Sequence, residues 1–504
     1  MIVHRSQCRR VRTRELLRRI ASASGFERRM ELGELEAGVA DALCASQEDD
    51  LPVLRALRRG HWTGLELPPE VEVSTPEGFA TRATDPDLYR MAAARFAAEL
   101  RPDRVAVIGI RGAGTTLSSV VEEELRRRGI SAESSTVRPR GNGERRELRV
   151  SDSLAAAWRA WAGWFALVGD GPGASGASFA SAAEFLAGLG VADERIVLFP
   201  GRETDGSDLT SECARRRWQR HRRYVSHFEE LALFAGAQDL SDGAWRNVRG
   251  IWPAVHPRHE RRKYCLGDRL YKFAGYGRYG REKLERSRRL HPFTPAATGL
   301  THGFLETAWV EGRPAGASVA FLEHAARYLT FLRREFHTGQ MANAKALAEM
   351  IAVNTGREWP GPLPEAPAVA MDGRMLPQEW IETRNGFVKT DALDHGDDRF
   401  LPGPQDIAWD LAACAVEFGG GEYLLERYRR ESGDRGVAAR LPFYRTAWLA
   451  FRLGYAELAV RQLGDSEDGE RFRRERARYA AALESEEPWT TTRNRLSASI
   501  WTAC

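Results

Sequence analysis

The sequence predicts a two-domain α/β protein, a parallel-sheet domain followed by one of mixed α+β build. Three observations point there. The chain has 504 residues, more than one hydrophobic core usually serves. Short apolar strands alternate with helical stretches between about residues 85 and 228, the signature of a parallel sheet with helical crossovers. After about residue 245 the order changes to strand-like pieces followed by long helices.

Taken in order, residues 1–65 carry helical patterning in RELLRRIASASGF and ELGELEAGVADALCAS and read as a helical N-terminal extension. Pro68, Pro69, Pro76 and Gly78 punctuate the entry to the first domain, residues 66–228. There LYRMAAARFAAEL reads as a helix, RVAVIGI as a buried strand, RGAGTT as a turn and LSSVVEEELRRRG as a helix. WFALVGD, GPGASGAS and FASAAEFLAGLG repeat that order, and RIVLFPG adds a strand. The second domain, residues 245–504, opens with KYCLGDRLYKFAGYG and FLETAWVEG as strands. ASVAFLEHAARYLTFLRREF and ANAKALAEMIAV follow as helices, WPGPLPEAP breaks the chain, and the tail from Ile407 is helical.

Composition narrows the class. With 43% hydrophobic residues and 14 Trp the chain is globular. It has no run of 18 apolar residues, so no transmembrane helix is expected, and its first 20 residues lack the apolar stretch of a secretory signal. Net charge is only +4, which gives no general pull on nucleic acid. Arginines do cluster at Arg215, Arg216, Arg217, Arg220, Arg222 and Arg223, as a solvated helix face or a polyanion contact. The six cysteines are scattered, without zinc or disulfide spacing, which fits a reducing cytoplasm. His256 and His259 read as surface or packing residues, and Trp158, Trp161 and Trp164 as core or a domain contact. Small-molecule substrates are the expected partners, without membrane or nucleic acid; a homo-oligomer is compatible. Only five basic residues are lysines, so each lysine is informative.

The loop at residues 170–178 carries the first candidate site. Apolar residues lead to Asp170; Gly171, Gly173 and Gly176 follow, with Ser175 and Ser178, and then a helix begins. Glycine-freed backbone N–H groups, serine hydroxyls and a helix N-terminus suit a phosphate dianion. Upstream, Arg111, Gly112, Gly114, Thr115 and Thr116 form a second strand–Gly loop–helix junction. Over about residues 85–225 this resembles the type I phosphoribosyltransferases. The resemblance implies that Ser175, Gly176, Ala177 and Ser178 hold the 5′-phosphate, that Asp170 holds the ribose, and that the Arg111–Thr116 loop takes the diphosphate of phosphoribosyl diphosphate. Arg138, Arg140, Arg145 and Arg146 stand where that family has a mobile loop or hood. The family usually has two adjacent acids; here one is glycine. No G-K-[ST] occurs, which excludes a Walker loop.

The second candidate site lies beyond residue 245. Lys272 falls on a probable strand and Glu285 in the next helix; AWVEGRP follows, then Asp372, with Asp391 and Asp394 further on. This is similar to the aminoglycoside phosphotransferases and choline kinases, which share a two-lobed kinase architecture. The resemblance implies ATP and Mg²⁺. It makes Lys272 and Glu285 the pair that positions ATP phosphates, Trp309 and Glu311 part of a hinge facing adenine, Asp372 the catalytic acid, and Asp391 and Asp394 the metal region. The expected Asn is Pro377, so Gln378 or Glu379 would have to replace it as metal ligand. His395-Gly396-Asp397 copies the family tripeptide, but residues 397–398 read as loop acids, and Asp410 as a structural anchor at a helix start.

The expected function is a bifunctional transferase, a phosphoribosyltransferase-like site joined to an ATP-dependent small-molecule phosphotransferase-like site. The alternative is a catalytically impaired protein that senses nucleotides or phosphoribosyl diphosphate, in line with the missing acid and missing Asn.

Overall fold

The structure, a computed structural model of the chain, describes residues 8–43, 56–57, 61, 64–141, 143–394, 400 and 403–486. The tripeptide at residues 395–397 and Asp398 lie outside them. The fold is mixed α/β and forms two compact units that divide the chain between Gly236 and Ala237, residues 275–277 counting with the first. Among the described residues no helix is long and apolar enough to cross a membrane.

In the first unit β1 (Cys8–Arg12) leads into α1 (Thr13–Ser22) and α2 (Gly25–Leu43), and pairs antiparallel with β2 (Glu70–Ser74). After α3 (Glu77–Ala80) and α4 (Pro86–Leu100) come β3 (Arg104–Ile110), α5 (Ala113–Arg127) and β4 (Ser131–Val137). A short hairpin of β5 (Arg140–Gly141) and β6 (Arg146–Glu147) fills the stretch read as a mobile loop. Then follow α6 (Asp152–Arg159), β7 (Trp164–Val168), α7 (Ala177–Gly188), β8 (Ile196–Phe199), α8 (Glu212–Trp218) and β9 (Arg222–Arg223).

Five of these strands form a parallel sheet in the order β4-β3-β7-β8-β9. Val105, Ile108, Phe165, Leu167, Val197 and Leu198 are buried, as a parallel sheet covered on both faces requires. Sheet growth reverses between β3 and β7. The loops after these two strands therefore flank a topological switch point, where open α/β sheets form their ligand crevice.

The N-terminal helices pack within this unit rather than standing apart. Leu16, Ile20, Leu35 and Val39 share a core with Val71 and Val73. Gly33 brings α2 against α5: a Cβ there would lie 2.2 Å from Thr116 Oγ1. Trp158 joins the sheet's core, and Trp161 packs against it. The arginines near α8 turn to local partners. Arg217 is buried, donates to the Ala183 carbonyl and pairs with Asp193; Arg216 meets Glu212, and Arg222 meets Glu99.

The second unit opens with β10 (Gln238–Asp239) and α9 (Trp245–Arg249). β11 (Lys263–Leu266), β12 (Arg269–Phe273), α10 (Arg278–Leu290), β13 (Gly299–Thr301) and β14 (Phe304–Ala308) complete an antiparallel sheet ordered β10-β11-β12-β14-β13, with α10 between its third and fourth strands in sequence. A link at residues 309–312 leads to β15 (Arg313–Pro314) and a helical lobe of α11 (Val319–Glu335), β16 (His337–Met341), α12 (Ala344–Thr355) and β17 (Pro367–Val369). The hairpin β18 (Trp380–Thr383) and β19 (Gly386–Lys389) precedes α13 (Ala408–Phe418), α14 (Gly421–Ser432), α15 (Val437–Leu463) and α16 (Glu467–Glu484). Trp380, Trp409, Trp448, Tyr328 and Leu329 anchor the core of this lobe.

Candidate functional site

The strand period of two places Leu270, Lys272 and Ala274 along one wall of a cavity of about 190 Å³ in the second unit. Trp309 and Val310 of the link line it, as do Arg374, Gln378, Glu379, Lys389, Asp391 and Asp394. Four of the chain's five lysines converge on this region: Lys263, Lys272 and Lys389 line the cavity, and Lys283 Nζ lies 3.7 Å from Asp394. Lys263 and Lys272 are direct cross-strand neighbours, an arrangement that destabilises a sheet unless each charge is met. Each is met: Lys263 pairs with Glu260, while Lys272 Nζ lies 2.6 Å from Asp391 Oδ1 and 2.5 Å from Asp394 Oδ2.

These pairs set the charge states. Burial alone would lower Lys272, but Asp391 and Asp394 outweigh it and hold the ammonium well above the ordinary lysine range. Burial alone would raise Asp394, but Lys272, Arg261 and Lys283 hold it well below the usual carboxylate range.

Asp372 is not in the cavity wall. Its side chain is 0% exposed, lies 3.3 Å from Lys389 Nζ, and accepts the Tyr328 hydroxyl at 2.7 Å. Lys389, also fully buried, reaches Glu379 at 2.7 Å. The backbone N–H groups of Asp372 and Gly373 both donate to the Asp410 carboxylate at 2.8 Å, so Asp410 anchors this loop from the start of α13. Burial and the Asp372 charge push Asp410 up to about 7 against those two donors.

Three expected placements are corrected. Glu285 faces solvent and is not the partner of Lys272. The buried positions of α10 are Gly280, Lys283, Ser287 and Leu290, spaced three or four apart, and Glu285 falls off that stripe. Glu311 is exposed at the link, where only Trp309 and Val310 turn inward. Asp372, expected to act on substrate, is closed off by Lys389 and Tyr328 in this conformation.

One wall escaped the sequence reading. Trp245, Arg249, Val255, His256, His259 and Glu260 line the cavity together with Tyr455 and Phe472. The His256 and His259 rings stack at 3.8 Å; His256 Nε2 meets Gln462 Oε1, and His259 Nδ1 meets the Tyr455 hydroxyl. Arg249 stacks on Trp309 at 4.0 Å and donates to the Val310 carbonyl. The lysine scarcity was the one signal in the sequence for Lys283 and Lys389.

In the first unit the switch-point loops are partly covered: Arg111, Thr115 and Thr116 are buried, Asp170 is half-buried, and Gly173 and Ala174 are exposed. Arg111 has a fully buried side chain beside the Thr136 carbonyl, 3.6 Å from Asp41. Arg138 forks onto Asp41 at 2.8 and 2.7 Å, and Arg140 lies 3.9 Å from it. Gly112 takes φ +126°, and a Cβ on Gly114 would lie 2.6 Å from the Val168 carbonyl, so the tight α5–β7 approach needs glycine. Thr115 and Thr116 are buried. Asp170 packs its carboxyl against Gly78, where a Cβ would come within 2.9 Å; burial raises its pKa against the opposing charge of Arg82. Gly171 and Gly173 lead to Gly176 at φ +69°, just before Ala177 opens α7. Ser175 Oγ accepts the Ala177 N–H, and Ser178 Oγ accepts from Arg146 at 2.8 Å. Burial and nearby Arg138 both lower the Arg146 pKa.

No protein-family model and no curated protein sequence matches the chain. Among solved structures it is similar to a choline/ethanolamine kinase family protein from Mesorhizobium loti, at 15% identity and TM-score 0.32, covering 45% of this chain and 85% of that one. A Plasmodium vivax ethanolamine kinase aligns at 10% identity and TM-score 0.31, over 45% and 81%. A choline kinase from Cryptosporidium parvum aligns at 9% identity and TM-score 0.32, over 49% and 88%.

Proposed function

We propose that the second unit is a kinase-like site for a nucleoside triphosphate, and that the chain is a small-molecule phosphotransferase. The observation that carries this is the single cavity joining Lys272 on a central strand, the link residues Trp309 and Val310, and Asp391 just after a hairpin. In kinases a strand lysine meets the phosphates, the link between lobes meets the base, and an acid beyond the catalytic loop faces the phosphates. Asp410 holding the backbone at Asp372 supports the same assignment of the loop. The acceptor would be a small molecule with a hydroxyl or amine. Incubation with γ-labelled ATP and a panel of such acceptors tests this: transfer above background, lost in Asp391→Ala, is expected, and no transfer to any acceptor counts against it.

A second reading has its own observation. Asp372 is fully buried, held by Lys389 and Tyr328, and does not face the cavity in this conformation. A protein that binds a nucleotide and senses it without transfer fits that geometry. ATP binding without label transfer would select it.

For the first unit we propose phosphate-ester binding of the phosphoribosyl type, without turnover. The sheet order with two loops at the switch point supports binding. The half-buried carboxyl of Asp170, packed against Gly78, argues against ribose chemistry. A thermal shift with phosphoribosyl diphosphate that disappears in Arg138→Ala is the expected result; no shift would sink this half.

A further inference from the structure

Kinase-type sites work through divalent cations that bridge acidic side chains and nucleotide phosphates. The residues around Asp391 do not fit such an ion. The ammonium of Lys272 lies between Asp391 and Asp394, at 2.6 and 2.5 Å, where a bridging metal would sit. The second oxygen of Asp394 faces Lys283 at 3.7 Å and Arg261 at 3.9 Å, and that of Asp391 faces Arg374 at 3.8 Å. Two carboxylates thus meet four cations before any ligand arrives. Glu379 is committed to Lys389 at 2.7 Å and to Arg374 at 3.2 Å. The position expected to hold a ligating Asn is Pro377, and its neighbour Gln378 offers only a neutral amide. Among the described residues no group of three acidic or histidine ligands gathers at this cavity. Mg²⁺ takes a near-octahedral shell of oxygens and sheds water reluctantly, so it competes poorly with a lysine already seated between the two acids.

We infer that this cavity binds the phosphates of a nucleotide without a divalent cation. Lys272, Lys263 and Arg374, which line the cavity, supply the positive charge that a metal would otherwise bring. Lys272 carries three N–H donors, so it meets a phosphate while still held between Asp391 and Asp394, and Arg261 and Lys283 stay on Asp394. The inference rests on the nucleotide reading of the cavity and goes beyond it by removing the metal.

The test is ATP binding to the full chain by isothermal titration, once in Mg²⁺ and once in EDTA. Dissociation constants within about threefold of each other are expected. A larger loss of affinity in EDTA overturns the inference while leaving the nucleotide reading intact; no binding in either buffer overturns both. Lys272→Met supplies a second check on the seat between the acids. With the ammonium gone, residual ATP binding is expected to become Mg²⁺-dependent, because the cation seated between the two carboxylates no longer opposes an ion there. A Lys272→Met protein whose residual binding is indifferent to Mg²⁺ contradicts the role given to this lysine.

Discussion

Lys389→Met is the sharpest perturbation of the buried charge network behind the cavity. Lys389 and Asp372 are both 0% exposed, and Glu379 only 6%, so water screens little of their interaction. Removing one partner of a buried pair costs about 3–5 kcal/mol, because the remaining charge stays desolvated and unmet. Here Asp372 loses its ammonium while Glu379 keeps Arg374 at 3.2 Å, which keeps the loss within that range. At roughly 2–4 °C per kcal/mol for a unit of this size, unfolding of the second unit should fall by about 10–15 °C. The sign with pH follows from the direction of the shift. The Lys389 pKa is raised in the folded state: burial would lower it, but Asp372, Glu379 and Asp391 outweigh burial. Its stabilisation is therefore fully present below the unfolded lysine value near ~10.4 and lost as pH rises through the folded value, so wild type gains no slope from it between about pH 5 and 9. The variant lacks this contribution, so its deficit should hold up to about pH 9 and shrink as pH rises above the unfolded lysine value near ~10.4. Differential scanning fluorimetry between about pH 7 and 11, with Asp372→Asn/Lys389→Met alongside, reads both effects; the double variant should recover part of the loss. A deficit under about 1 kcal/mol, or one that does not change with pH, would refute the charge network as described.

Three further outcomes are expected. Asp410 titrates at about 7 when folded, above the unfolded value near ~3.9, so its stabilising contribution falls as pH rises through that window. The stability of Asp410→Asn relative to wild type should therefore improve from pH 4 to 7 in urea titrations, and a flat difference would contradict the assignment. Gly33→Ala should cost about 1–3 kcal/mol by forcing α2 off α5 at Thr116, read as a lowered melting point of the first unit; an unchanged melting point contradicts that contact. Asp41→Asn should strengthen diphosphate binding several-fold, because Arg138 loses its anionic partner and turns to the ligand, as titration calorimetry would show. Weaker or unchanged binding would place the anion elsewhere.

The parts of the fold legible in the sequence were those set by local pattern. Apolar strands alternating with helices led directly to the parallel sheet, and Lys272 in an apolar strand led to the cavity wall. Asp410 before an apolar helix was readable as an anchor because its place at the helix start is a local feature. What stayed hidden depends on which face turns inward and on what packs over it. Glu285 was named from its distance to Lys272, but the buried stripe of α10 selects Lys283. Asp372 was named from its spacing to Asp391, and nothing local says that Lys389 and Tyr328 close over it. Asp41 lies 97 residues from Arg138, so no short motif could have paired them. The wall from Trp245 to Glu260 is held at the cavity by contacts distant in sequence, such as Arg246 with Asp468, His256 with Gln462 and Arg249 with Trp309.

ATP titrated calorimetrically into the full chain, beside Lys272→Met and Glu285→Gln, tests the nucleotide site most directly. Binding by wild type is expected, unchanged in Glu285→Gln and weakened at least about tenfold in Lys272→Met, since a charge-assisted contact contributes about 1.5–3 kcal/mol. Absence of ATP binding, or a Lys272→Met protein that binds as wild type does, would contradict the assignment of the cavity.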